Sequence, residues 1–143
     1  MFASALGVLV LGARGGVAAA HAHRDAAPRL AGVLHHLHAG DAVAPGQIPV
    51  EQMLAVGSFC GGGILERHPN LRVAFLEGNC SWLPFLLWRL DEHWERQGDV
   101  YAPELKMPPS EYFKRQCFAS VECDEEPIKG VHDLMGVDNV VFS

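Results

Sequence analysis

Three predicted strands end in a side chain that can take part in chemistry. His21, Glu77 and Glu122 each come directly after an apolar run. In parallel α/β architectures, ligands and metals bind at the carboxyl ends of the strands. Imidazole nitrogen and carboxylate oxygen together suit zinc, manganese or iron. One interpretation of the pattern is a divalent metal site at this edge. The alternative is that a strand-end glutamate is a solvated loop residue or pairs with a nearby arginine.

Two groups of histidines differ in what their spacing indicates. His23 lies two residues after His21, and residues i and i+2 of a strand point to the same side. Both imidazoles can therefore face one ion if the strand persists, although two exposed strand-end histidines are the alternative. His35, His36 and His38 lie off the apolar stripe of a predicted helix. We interpret that second group as a solvated helix face, with metal binding as a minor alternative.

The elements that must position these residues alternate along the chain. Short apolar runs predict strands near residues 17, 71, 117 and 139. Helices are predicted between them, one of them opening at Pro49 and ended by residues 68–70, with a helix broken at the three glycines 61–63 as the alternative. Ser81 and Asp124 are predicted to cap two more. The clearest amphipathic pattern is the stripe of Leu83, Leu86, Leu87, Leu90 and Trp94. Strands separated by helices predict a parallel sheet.

Length and charge set limits on the class of protein. The 143 residues are 49% hydrophobic and 20% charged, as in an ordinary soluble protein. They allow one domain, 1–143, whereas a complete (β/α)8 barrel usually needs about 250 residues. The 11 basic against 17 acidic side chains give a net charge of −6. No basic stripe is present to neutralise phosphates, so nucleic acid is excluded as an expected partner.

The cysteines and the first residues bear on location. Four widely spaced cysteines form no CxxC pair, so we interpret them as reduced thiols of a cytoplasmic protein. The apolar run over residues 1–20 has no preceding positive charge and is interrupted by Arg14 and two glycines. Both features argue against a secretory signal and against a membrane-spanning helix. A cleaved signal peptide is the alternative.

One long segment resembles a known family. Residues 62–78, GGILERHPNLRVAFLEG, together with residues 82–85 and 89–93, closely resemble the amidohydrolase-related family. That family includes the aminocarboxymuconate-semialdehyde decarboxylase-like enzymes. Residues 109–118, 120–122 and 135–142 match it too. The resemblance covers the chain from about residue 50 to residue 143 and is loose before residue 50.

The resemblance implies a metal-dependent (β/α)8 barrel that acts on a small molecule. Such enzymes hydrolyse C–N or C–O bonds, or decarboxylate aromatic and unsaturated acids, with a divalent ion that activates water or orients a carboxylate. His21 best fits the family's fifth-strand histidine, and Glu77 stands at the sixth-strand position, where many relatives have histidine. His23 is expected to add a third ligand. Glu122 is assigned to substrate binding, and zinc is the expected metal, with manganese or iron as alternatives.

Two departures from the family limit this expectation. Nothing in the chain resembles the first-strand ligand motif unless residues 21–23 are that motif, and their short distance from Gly62 argues against this alternative. Relatives also continue beyond the position of Ser143 into a segment with an aspartate ligand. We therefore predict roughly the second half of a barrel, about four of eight βα units, incomplete at both ends. Its open strand edges predict association into a homo-oligomer. We expect weak zinc binding and little activity. The alternative is a non-catalytic half-barrel remnant or a binding module.

Overall fold

The structure, a computed structural model, describes residues 8–11 and 46–142. The predicted strand near residue 17 and the helix that follows it lie outside the described residues. The predicted ligands His21 and His23 and the cluster of His35, His36 and His38 also lie outside them.

Helices and strands alternate through most of the described part. The elements in chain order are β1 (Val8–Leu11), α1 (Gln47–Val56), a π-helical turn (Gly57–Gly61), α2 (Ile64–Arg67), β2 (Arg72–Phe75), α3 (Leu83–Tyr101), α4 (Pro109–Gln116), β3 (Cys117–Val121), α5 (Ile128–Met135) and β4 (Val140–Phe142). The predicted strands near 71, 117 and 139 are confirmed. Within these residues, no helix combines the length and apolar character needed to cross a membrane.

The four strands form one sheet in the order β1-β2-β3-β4. β2 and β3 pair in parallel, with Val73 opposite Cys117, and β3 and β4 also pair in parallel, with Ala119 opposite Val140. These three strands confirm the predicted parallel sheet. β1 differs, because it pairs antiparallel with β2, with Val8 opposite Phe75. The sequence did not predict this strand, since nothing local marks a four-residue run as the partner of a distant strand.

The core lies between β2 and β3 and the helices packed on them. The ring of Phe75 in β2 stacks on Phe113 of α4, with centroids 5.9 Å apart. Of the predicted stripe on α3, Leu83 and Leu87 are fully buried, and Leu86, Leu90 and Trp94 pack against the core. Burying these side chains removes apolar surface from water and is the main force that holds α3 on the sheet.

The helix predicted to open at Pro49 is broken, which is the alternative that the three glycines left open. The α-helical part ends at Val56, the π-helical turn follows, and α2 begins only at Ile64. Gly63 has φ = 74°, in the left-handed region, which no helix interior allows. The run of three glycines therefore ends one helix and starts another.

The two predicted N-caps are wrong. α3 begins at Leu83 after Trp82, and the hydroxyl of Ser81 instead donates to the carboxylate of Glu125. α5 begins at Ile128 after Pro127, beyond Asp124. A residue with a good capping side chain is not a cap when a tertiary partner takes that side chain.

A polar cluster ties α2 and α4 together. The hydroxyl of Tyr112 donates to Oε2 of Glu66 (2.7 Å) and accepts the backbone N–H of Lys106 (3.0 Å). The Lys106 ammonium forms an ion pair with the same carboxylate. Hydrogen bonds from Lys106 first, and then from Tyr112, lower the pKa of Glu66. The cluster therefore stabilises the ionised form of this carboxyl group.

Candidate active site

Glu77 follows the carboxyl end of β2, as the sequence predicted. Its side chain is exposed, and its backbone has φ = 66°. Asn79, two residues later, has φ = 53°. Left-handed backbone is unfavourable for a residue with a β-carbon, and asparagine tolerates it better than glutamate does. Such strain persists only where the surrounding structure imposes it, and it is concentrated at functional sites.

Two side chains hold the backbone on either side of the Leu76–Glu77 peptide bond. The N–H of Glu77 donates to Oγ of Ser120 in β3 (3.0 Å), and the C=O of Leu76 accepts a hydrogen bond from Nε2 of Gln52 in α1. Ser120 is 1% exposed and Gln52 is fully buried. Buried polar groups with fixed partners leave a backbone little freedom. The Leu76–Glu77 peptide bond is therefore held by α1 and by the neighbouring strand.

A third anchor holds the rest of the loop. Glu125 lies in the loop after β3, and its carboxylate is 8% exposed. Its Oε1 accepts the N–H of Cys80 (2.9 Å), the N–H of Ser81 (2.7 Å) and the hydroxyl of Ser81. The thiol of Cys80 lies 3.8 Å from Oε2. The loops that follow β2 and β3 are thus joined by a single carboxylate.

Gly78 sits where the loop passes closest to α1. A β-carbon at this position would lie 2.8 Å from Nε2 of Gln52 and closer still to its Cδ and Oε1. The C=O of Gly78 accepts a hydrogen bond from Nε1 of Trp82 (2.9 Å). Only glycine leaves room for the buried amide that holds Leu76.

Glu122, the second predicted strand-end carboxylate, follows β3 directly. Its side chain is exposed, like that of Glu77. Because β2 and β3 are parallel neighbours, both residues lie at the same edge of the sheet. Residues 122–126 carry four carboxylates, of which only Glu125 is buried. This edge is therefore acidic and favours a cation over an anion.

The described residues do not by themselves form a metal site. Within residues 8–11 and 46–142, no group of three or more histidine, cysteine, aspartate or glutamate side chains is placed to hold an ion. Glu77 is the one predicted ligand in that part of the chain. A catalytic zinc usually has three protein ligands, so the described donor set does not fit a metal without residues from elsewhere.

The thiol next to the site is not a nucleophile. Burial, the negative charge of Glu125 and the hydrogen bond to that carboxylate raise the pKa of Cys80 to about 12. The thiol is the protonated form at neutral pH, whereas nucleophilic cysteines are thiolates. The arrangement therefore offers exposed carboxylates on a firmly held loop, which can bind a cation or accept a proton.

Sequence reasoning did not find the residues that hold this loop. Gln52 lies within a helix and carries no motif, and Ser120 lies within an apolar strand. Glu125 directly follows Asp124, the residue that was predicted to cap a helix. Only the alternation of the strand hints at Ser120, and the partners of all three residues are distant in sequence.

Comparison with known proteins supports the resemblance. No family profile matches the chain. The 2-amino-3-carboxymuconate-6-semialdehyde decarboxylase of Dictyostelium discoideum is 34% identical over 95 residues, which are 66% of this chain and 26% of that protein. The chain therefore spans about a quarter of the length of this curated relative.

Two solved structures share the fold. The 5-carboxyvanillate decarboxylase of Sphingomonas paucimobilis matches with a TM-score of 0.63 and 23% identity, over 78% of this chain and 34% of that one. A dihydroxybenzoic acid decarboxylase from a Polaromonas species, solved with manganese and the inhibitor 2-nitroresorcinol, matches with a TM-score of 0.57 and 19% identity, over 79% and 34%.

The fold is thus of the α/β type predicted, a partial (β/α)8 barrel. The sequence match covers 95 residues and is to a decarboxylase, which supports the resemblance to the amidohydrolase-related, decarboxylase-like family.

Proposed function

We propose that this chain is part of a decarboxylase or hydrolase of the amidohydrolase superfamily that acts on a small aromatic or unsaturated carboxylic acid or amide. The observation that carries the proposal is the loop after β2, which is anchored from three sides and presents Glu77 beside Glu122 at the carboxyl edge of the sheet. The named relatives are decarboxylases, so we place decarboxylation before hydrolysis.

We further propose a divalent metal cofactor with His21, Glu77 and His23 as ligands and with Glu122 near the substrate. Zinc is our first choice, and manganese and iron are the alternatives; the manganese in the Polaromonas structure supports a divalent ion in this fold. When bound, such an ion polarises a carboxyl or carbonyl oxygen of the substrate. Only Glu77 of the three ligands lies within the described residues, so the proposed set needs His21 and His23 to reach it.

The charge of the edge also supports a cation. Glu77 and Glu122 are both exposed carboxylates, and a carboxylate substrate approaching them alone would be repelled. A bound cation reverses this repulsion. In the proposed site Glu77 binds the cation. Glu122 faces the end of the substrate that is far from the substrate's own carboxylate.

We also propose that residues 1–143 form one domain and that the protein is cytoplasmic. We expect its partner to be a small-molecule substrate, with no nucleic-acid or membrane partner. We expect the chain to associate into a homo-oligomer. β4 supports the last of these, because Val140–Phe142 is an edge strand and Phe142 is 74% exposed. Such an edge can pair with a second copy.

A second candidate is a half-barrel that binds small molecules without catalysis. The observation that favours it is the lack of a three-donor group within residues 8–11 and 46–142.

The two candidates are separated by metal titration of the full chain. We expect weak zinc binding that is reduced further in Glu77→Gln and in His21→Ala, because each removes one ligand. Glu126→Gln is the matched control, since Glu126 is exposed and lies in the acidic run beyond Glu122. Carbon dioxide release from a dihydroxybenzoic acid, measured with and without zinc, tests the reaction. Zinc affinity that is unchanged in both ligand variants removes these residues from the site and favours the non-catalytic candidate.

A further inference from the structure

The carboxylate of Glu125, which belongs to the loop after β3, is hydrogen-bonded to the loop after β2. Its Oε1 accepts three donors from two consecutive residues, namely the N–H groups of Cys80 and Ser81 and the hydroxyl of Ser81. The thiol of Cys80 donates to Oε2. All four donors belong to the segment that follows Glu77.

The ends of this segment are held differently. At its start, Ser120 and Gln52 fix the Leu76–Glu77 peptide bond. At its end, the N–H groups of Cys80 and Ser81 are held by Glu125, while the C=O of Cys80 accepts the N–H of Leu83 (2.9 Å) and the Cys80 side chain is buried in the core. Between these points lie the two residues with left-handed backbone, Glu77 and Asn79. Left-handed backbone persists only where the surrounding structure imposes it, and the anchor at Cys80 and Ser81 closes the segment that contains both residues.

We propose that Glu125 is a positioning residue: it fixes the loop after β2 from the loop after β3, and it thereby sets the backbone conformation and direction of Glu77. The inference rests on the proposed function only in taking Glu77 as the group that acts. The anchoring itself is independent of that function.

The donors around Glu125 explain why this position needs a carboxylate. Oxygen acceptors that are ionised form hydrogen bonds about twice as strong as neutral ones. The raised pKa of Cys80 keeps its thiol protonated and able to donate. An amide at position 125 keeps one acceptor oxygen but loses the charge, and it brings an NH2 group that faces donors.

The first test is amide hydrogen exchange on the full chain in Glu125→Gln. We expect exchange at Cys80 and Ser81 to become about 10- to 100-fold faster, the factor for losing hydrogen bonds to a charged group. The amide of Glu77 must also exchange faster, because releasing Cys80 and Ser81 is expected to release the backbone of Glu77. The amide of Ala119, which donates to the C=O of Asn139 (2.9 Å), is the internal reference for global unfolding.

Two controls make the result specific. Glu126→Gln makes the same charge change at the adjacent exposed position and is expected to leave exchange at Glu77 unchanged. In Glu125→Ala, added formate is expected to restore protection at Cys80, Ser81 and Glu77, because it returns a carboxylate to the vacated space. Restoration by formate and not by chloride shows that the loop needs the carboxylate and not only the volume of the side chain.

The second test separates this inference from the proposed function. Zinc titration is carried out on Glu125→Gln and on Glu77→Gln, and we expect both to bind about tenfold more weakly than the unchanged chain, as for residues that orient a ligand. If Glu77→Gln binds zinc as tightly as the unchanged chain, the proposed metal site is wrong. The positioning role is then decided by amide exchange at Glu77 in the Glu125→Gln variant. If Cys80 and Ser81 exchange faster in Glu125→Gln while Glu77 does not, Glu125 is a local anchor and the inference is overturned. The inference is also overturned if the amide of Glu77 exchanges at the same rate in Glu125→Gln and in Glu126→Gln.

Discussion

The close approach of Gly78 to Gln52 makes a strong prediction for Gly78→Ala. The new β-carbon would lie 2.8 Å from Nε2 of Gln52 and closer to Cδ and Oε1. The amide cannot simply move away, because Gln52 is fully buried and its Nε2 donates to the C=O of Leu76. The backbone of Gly78 lies outside the left-handed region that favours glycine. The effect of the substitution is therefore steric and not conformational.

The magnitude follows from three contributions. Overpacking a buried site costs about 1–3 kcal/mol, and losing the hydrogen bond to Leu76 costs about 1 kcal/mol. Replacing glycine restricts the unfolded chain and returns about 0.4–1 kcal/mol. We expect Gly78→Ala to lower the free energy of unfolding by about 1–3 kcal/mol.

Urea denaturation of a double-mutant cycle checks this reasoning. Gln52→Ala removes the group that the new methyl meets, so the double variant should be more stable than the sum of the single effects by about 1–3 kcal/mol. Gly130→Ala in α5 is the matched control, since Gly130 is exposed and its nearest neighbour, Cγ of Pro84, lies 3.9 Å from the added carbon. This control should stabilise by about 0.5–1 kcal/mol. Additive effects in the cycle, or a Gly78→Ala variant as stable as the control, would refute the steric argument.

Three further predictions concern single residues. At Glu77, with φ = 66°, we expect the glycine variant to be more stable than the alanine variant by about 1 kcal/mol in urea denaturation; the usual order, with alanine more stable, would contradict the left-handed backbone. Hydrogen bonds from Lys106 and Tyr112 lower the pKa of Glu66 in the folded state, so its contribution to stability is present above the unfolded pKa of about 4.3 and is lost as the pH falls through the lowered folded value. The loss of stability in Glu66→Gln should therefore be larger at pH 7 than at pH 3, and an equal loss at both would contradict the lowered pKa. Of the four thiols, exposed Cys123 should react with a disulfide reagent in the native protein, and Cys60, Cys80 and Cys117 should react only after unfolding; fast labelling of more than one thiol would contradict their burial.

The elements that could be predicted from sequence are those whose signal is local. The apolar stripe of α3 predicted which of its side chains face the core, and short apolar runs predicted β2 and β3. These patterns record burial directly, since the period of a helix or strand determines which positions face inward. The carboxyl-end placement of Glu77 and Glu122 followed from the same signal.

The elements that could not be predicted depend on distant partners. Ser81 has an ordinary capping side chain, yet its hydroxyl donates to Glu125 in another loop. The three glycines indicated a possible break between α1 and α2, but no signal in the sequence marks the π-helical turn that begins at Gly57. The anchors Gln52, Ser120 and Glu125 carry no motif because each acts through the backbone of another segment, and no spacing along the chain records such a contact.

The antiparallel pairing of β1 has a consequence for how the sheet can be extended. A strand has two edges, and those of β2 are occupied by β1 on one side and β3 on the other. The predicted parallel strand near residue 17 can pair with β2 only after Val8–Leu11 has left it. The two pairings use the same N–H and C=O groups of β2 and therefore exclude each other. A parallel strand added at this edge of β2 would therefore have to take the place of β1.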